Sequence, residues 1–107
     1  MKPALLILLA LAGSAHATTN CTDSVKQIAV DVGGNARFYV VLMGGAGFDM
    51  PQTGETWKIA LALAQTSKLT GERITVTYAA EKVNCSGAGV RTDLVRISTA
   101  EDGPPTR

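Results

Sequence analysis

One histidine, His16, is all the imidazole in this chain, and it falls inside a segment that reads as an export signal. Once that segment is removed, a Ser-His-Asp or Cys-His nucleophile cannot be assembled, nor a histidine-ligated metal site. An excess of one charge is missing too. Lys and Arg total 10 against 9 Asp and Glu, and loss of Lys2 with the signal leaves the two signs equal. A nucleic-acid binder carries a basic excess on one face, so no nucleic-acid partner is expected. The apolar run Ala4 to Ala12 is well short of the roughly 20 residues a membrane-spanning helix needs. No membrane insertion of the mature chain is expected. The cluster Gly44-Gly45-Ala46-Gly47 lacks the Gly-Lys-Ser/Thr ending of a phosphate loop and the spacing of a dinucleotide fingerprint. It reads as a turn or bulge, with a ligand-contacting loop as the alternative. The acidic residues Asp31, Asp49, Glu55, Glu72, Glu81 and Asp93 are scattered, and their spacing singles out no pair for acid–base work. No catalytic residue, metal ligand or cofactor is assigned, and the protein is not expected to be an enzyme.

What is present begins with the leader. Lys2, the apolar run and Ala15-His16-Ala17 form the charged, apolar and small-residue parts of a signal peptide over residues 1–17; an N-terminal anchor is the alternative. Cys21 sits behind Thr18-Thr19-Asn20 rather than in a lipid-attachment box. The mature protein is expected to be exported, periplasmic or secreted, as a single domain over residues 18–99 with a flexible tail over 100–107. Two cysteines, Cys21 and Cys85, are all the chain holds. In an exported protein they are expected to pair; two free thiols or a bond to another chain are the alternatives. Each lies in an Asn-Cys-Ser/Thr triplet, read as loop composition rather than as a glycosylation site.

Thr53 to Leu69 is the convincing helix. Thr53 is expected as its N-cap, Glu55 suits the first turn, and Lys68 with Gly71 ends it. Trp57, Ala60, Leu61, Ala64 and Ser67 share a face, flanked by Ile59 and Leu63. The small residues at its centre permit close approach to a sheet, and Trp57 reads as a core anchor. Val25 to Val32 alternates with Ile28, Val30 and Val32 inward. After a turn at Gly33-Gly34-Asn35, Arg37 to Met43 points Phe38, Val40 and Leu42 inward, which makes a hairpin. Phe48 to Met50 reads as a short third strand. Arg73 to Tyr78 turns Ile74, Val76 and Tyr78 inward, and Val90 to Thr99 closes the domain with Val95 and Ile97 inward and Leu94 out of phase, a sign of a bulge or an exposed apolar edge. The fold class is therefore mostly β with one helix (α+β), in the order β-β-(β)-α-β-β. That order matches a small OB-fold-like Greek-key barrel plugged by the helix; an open sheet with one helix packed across it is the alternative.

The stretch Trp57-x-x-Ala60-Leu61-x-Leu63-Ala64-x-x-Ser67, followed by Gly71, Ile74-x-Val76-x-Tyr78 and Cys85, resembles a group of small exported bacterial proteins and, more distantly, the OB-fold B subunits of AB5 toxins of the subtilase-cytotoxin type. The resemblance covers roughly residues 21–97 and rests on core and turn positions. It implies glycan binding and a ring-shaped pentamer, and places no sugar-contacting residue on this chain. Small exported proteins of this kind often carry a second cysteine pair around the loop before the helix; this chain has Met50 and no cysteine there. From the residues themselves, the candidate ligand surface is Arg37 and Tyr39 on the outward face of the second strand, with Arg73, Thr75 and Thr77 on that of the fourth. The expected function is a secreted binding module for a glycan or a protein surface, compatible with a homo-oligomer. The alternative is an interaction protein that docks a partner chain through exposed strand edges, with Leu94 and Val41 as the apolar edge.

Overall fold

The computed structural model of the protein describes residues 17–34 and 36–100. The expected signal sequence and the tail beyond Ala100 lie outside these residues, as does Asn35 of the expected turn.

Among the described residues, seven strands and one helix form two sheets over one core. They are β1 (Thr19–Asp23), β2 (Val25–Val30), β3 (Arg37–Leu42), β4 (Ala46–Pro51), α1 (Thr56–Thr70), β5 (Ile74–Tyr78), β6 (Gly89–Arg91) and β7 (Leu94–Thr99). One sheet has the order β1-β5-β7, and the other β2-β3-β4-β6. All pairings are antiparallel except β4 with β6. The expected mostly-β fold with one helix is present, but the two sheets do not close into a barrel. The segment around Cys21 is a full strand paired with β5.

The hairpin stands with a shorter first strand. A register shift between Val25 and Gln27 changes the phase of β2, so Val25 is buried and Ile28 packs on the core. Val32, expected to face inward, lies beyond the strand and is 93% exposed. β3 alternates as expected, with Phe38, Val40 and Leu42 buried. Gly44 and Gly45 make the expected turn, closed by the Gly45 N–H donating to the Leu42 carbonyl at 3.0 Å. β4 then begins earlier than expected. A side chain at Gly47 would collide with the Val40 carbonyl oxygen, so this glycine is what lets β4 lie so close against β3.

The helix starts after Glu55, not at Thr53, and has no side-chain cap. Gly54, at φ +70°, holds the turn before it in a conformation the helix cannot include. Gly71 ends it in the left-handed conformation, its N–H donating to the Ser67 carbonyl at 2.8 Å. Ala60, Ala64 and Ser67 are the buried stripe, as expected. Trp57 and Leu61 pack on the core, and the Trp57 ring lies 6.1 Å from that of Phe38. Ile59 does not fill the side of the helix; it points to solvent. Ser67 is more than a small residue. Its hydroxyl accepts the Val25 N–H at 3.0 Å and donates to the Glu72 carbonyl, so one atom ties the helix to β2 and to its own terminating turn.

The expected final strand is two. β6 runs beside β4, the chain turns at Thr92-Asp93, and β7 joins the other sheet beside β5. Val95 and Ile97 were the expected inward pair. The inward pair is Leu94 and Ile97, because Leu94 pairs with Tyr78 and Arg96 with Thr77. Val95 is the extra residue of a bulge and is 58% exposed. The Ala100 N–H still reaches the Arg73 carbonyl at 3.2 Å, so the end of β7 is held one residue further than expected.

Cys21 and Cys85 form the disulfide, with Cα atoms 5.5 Å apart. It joins β1 to the loop before β6. Among the described residues no helix is long and apolar enough to cross a membrane.

Candidate functional site

The outer face of the three-stranded sheet is polar in two cross-strand rows. Asn20, Thr77 and Arg96 face one another in the first, and Thr22, Thr75 and Ser98 in the second. Alternation produces this: on β1, β5 and β7 the residues between them, Cys21, Val76 and Ile97, face the core. The rows line a shallow concavity of about 660 Å³, with Thr18 and Thr99 at its ends.

The rows are wired internally. The Thr77 hydroxyl donates to Asn20 Oδ1 at 2.7 Å, and the Thr22 and Thr75 hydroxyls share a hydrogen bond of 2.7 Å. Each bond fixes a rotamer and leaves capacity unspent. Asn20 keeps its two amide hydrogens, the hydroxyls keep lone pairs, and the Thr22–Thr75 pair keeps one donor. Strands lie about 4.8 Å apart, so donors and acceptors repeat across the face at that interval. Among the described residues Arg96 is the one charged member of the lining. Such a surface can hold a polar, uncharged or anionic ligand by many hydrogen bonds. It presents no activated nucleophile.

Of the residues expected from sequence, Thr75 and Thr77 lie in this concavity. Arg73 lies just before β5, exposed, and is not part of the lining. Arg37 and Tyr39 are elsewhere. They lie on the outer face of the four-stranded sheet, where the Arg37 Nε donates to Asp49 at 2.8 Å. The inward residues of β3 and β5 share one core, so the two outer faces look away from each other, and the expected single surface is split in two. Asn20, Thr22, Arg96 and Ser98 were missed. Arg96 and Ser98 alternate with inward Ile97, but nothing local showed that their strand pairs with β5; for Asn20 and Thr22 the alternation around Cys21 was the available signal.

A second polar cluster sits where the chain crosses between the sheets. Arg91 donates to both Asp93 oxygens, at 2.8 and 3.1 Å, and its guanidinium lies 5.4 Å from the centre of the Tyr78 ring. Asp93 also accepts the Ala80 N–H at 3.0 Å. The bond from Arg91, ahead of that from Ala80, holds the Asp93 carboxyl below its ordinary range against the opposing effect of burial. Burial pushes the Tyr78 phenol up, opposed by its bond to Gly47. Every group here is partnered within the chain, and the cluster is a structural corner.

Compared with known proteins, the chain matches no family model, no curated protein and no solved structure.

Proposed function

We propose that the protein is a small exported binding module that takes a polyhydroxylated ligand, a glycan, on the outer face of its three-stranded sheet. The carrying observation is the pair of rows Asn20–Thr77–Arg96 and Thr22–Thr75–Ser98 lining one concavity. Side chains bonded to one another before the ligand arrives lose little freedom on binding. The disulfide is compatible with export. The sequence resemblance of residues 21–97 to OB-fold B subunits suggests glycan binding and a ring assembly.

Binding of the exported chain to a glycan array, followed by titration of any hit, tests this. Thr75→Val removes one hydroxyl from the second row while keeping its shape, and Arg96→Ala removes the exposed cation. Each is expected to weaken binding about tenfold, the loss of roughly one hydrogen bond, with unchanged thermal unfolding. Correctly folded protein that binds nothing on the array overturns the reading.

The alternative, docking of a partner chain on a strand edge, has one observation in its favour: exposed Val95 on β7, the last strand of its sheet. Leu94, expected at that edge, packs on the core instead.

A further inference from the structure

Asn20 and Thr22, the β1 members of the two polar rows, flank Cys21 in the sequence. β1 is the last strand of its sheet and pairs with β5 alone. Cys21 is its one buried side chain, so little apolar surface holds the strand down. The chain beyond it is fastened separately, beginning at Ser24. The Ser24 carbonyl accepts the Met43 N–H at 2.8 Å, and its hydroxyl donates to the Gly71 carbonyl at 2.7 Å. The Val25 N–H then donates to the Ser67 hydroxyl at 3.0 Å. None of these bonds passes through β1.

Besides its pairing with β5, β1 is held by the loop of residues 79–88. Thr19 Oγ1 donates to the Ala80 carbonyl at 2.8 Å and accepts the Val83 N–H at 3.1 Å, and the disulfide adds the covalent link. The loop has its own moorings at both ends. The Ala79 and Ala80 N–H groups donate to Asp93 at 2.9 and 3.0 Å, and the Gly89 N–H to the Gly45 carbonyl at 3.0 Å. The loop is the fixed partner and β1 the held one. We propose that the disulfide is a redox latch on the concavity, an inference that rests on the concavity being the binding site. Once the bond is reduced, β1 opens from β5 and takes Asn20 and Thr22 out of the rows, so ligand is held only by the oxidised protein. Cys21 is buried and Cys85 only partly so, which directs a reductant to Cys85. One thiolate of a dithiol attacks Cys85 Sγ and expels Cys21 as a thiolate, which takes up a proton. The second thiolate of the reductant attacks its first sulfur in the mixed disulfide and releases Cys85, which is protonated in turn. The protein gains two thiols, and the dithiol leaves as a disulfide.

Amide hydrogen exchange of the exported chain, oxidised and after treatment with dithiothreitol, tests the latch without any ligand. Exchange in β1 is expected to quicken about tenfold or more on reduction, while β3 and α1 keep their protection. Unchanged exchange in β1 overturns the proposal. So does an equal loss of protection in β1, β3 and α1, which would make the disulfide a support of the whole domain. A glycan found on the array is expected to lose about tenfold or more in affinity on reduction and to regain it on reoxidation. Cys21→Ser with Cys85→Ser is expected to bind equally weakly with and without dithiothreitol. A glycan bound at full affinity by the reduced protein overturns the latch. An array on which the folded, oxidised protein finds no ligand overturns the reading of the concavity instead, and the exchange pattern then decides whether the disulfide holds β1.

Discussion

The phenolic hydroxyl of Tyr78 donates to the carbonyl oxygen of Gly47 at 2.7 Å, a bond that runs through the core from one sheet to the other. Tyr78 is wholly buried, so this carbonyl is the partner that makes burial of the phenol affordable. Tyr78→Phe keeps the ring and leaves the Gly47 carbonyl without it. The expected cost is about 1–3 kcal/mol, read as a lower urea midpoint with an unchanged slope.

Ser67→Ala separates size from bonding in the helix stripe. The buried Val25 N–H and the Glu72 carbonyl both lose their partner, while the small volume that allows close packing is nearly kept. A loss of about 1–3 kcal/mol is expected, with faster amide exchange at Val25. If Ser67 serves packing alone, urea denaturation will show the variant as stable as the wild type.

Acid acts through Asp93. Its carboxyl titrates below the ordinary range in the folded chain, so what the Arg91 pair contributes is fully present above the unfolded value, about 3.9. That contribution fades as pH falls toward the folded value. Asp93→Asn is therefore expected to be less stable than the wild type at pH 7, with the gap narrowing below about pH 4. Urea midpoints of both proteins at a series of pH values check the sign. A gap that widens in acid contradicts it.

Replacing both Cys21 and Cys85 by Ser opens a covalent loop with a sequence separation of 64. Chain-entropy reasoning values that closure at about 4 kcal/mol, a large share of the stability of so small a domain. Thermal unfolding with and without reductant is expected to show the wild type, once reduced, converging on the variant.

The helix stripe and the inward faces of β3 and β5 were legible because each is a local period: Ala60, Ala64 and Ser67 for the helix, and Phe38, Val40 and Leu42 against Ile74, Val76 and Tyr78 for the strands. Val32 was misassigned because β2 ends at Val30, and Val95 because of the bulge in β7. A bulge adds a residue without changing composition, and a period of two cannot detect it. The helix start was misplaced because Thr53 has the chemistry of a cap, while Gly54 takes a positive φ that ends the turn before the helix begins.

Thr75 and Thr77 were found from their own strand, whereas Arg37 and Tyr39 were assigned to the same surface with no means of knowing they lie on another sheet. By itself the sequence determined the inward sides of β3 and β5 and the buried stripe of α1, since these follow from side-chain chemistry and an uninterrupted backbone period. Only the tertiary structure decided which strands are neighbours. Pairing is set by long-range hydrogen bonds and by the register of chain segments far apart in sequence. It is that pairing which gathers Asn20, Thr77 and Arg96 into one row and leaves Tyr39 facing the other way.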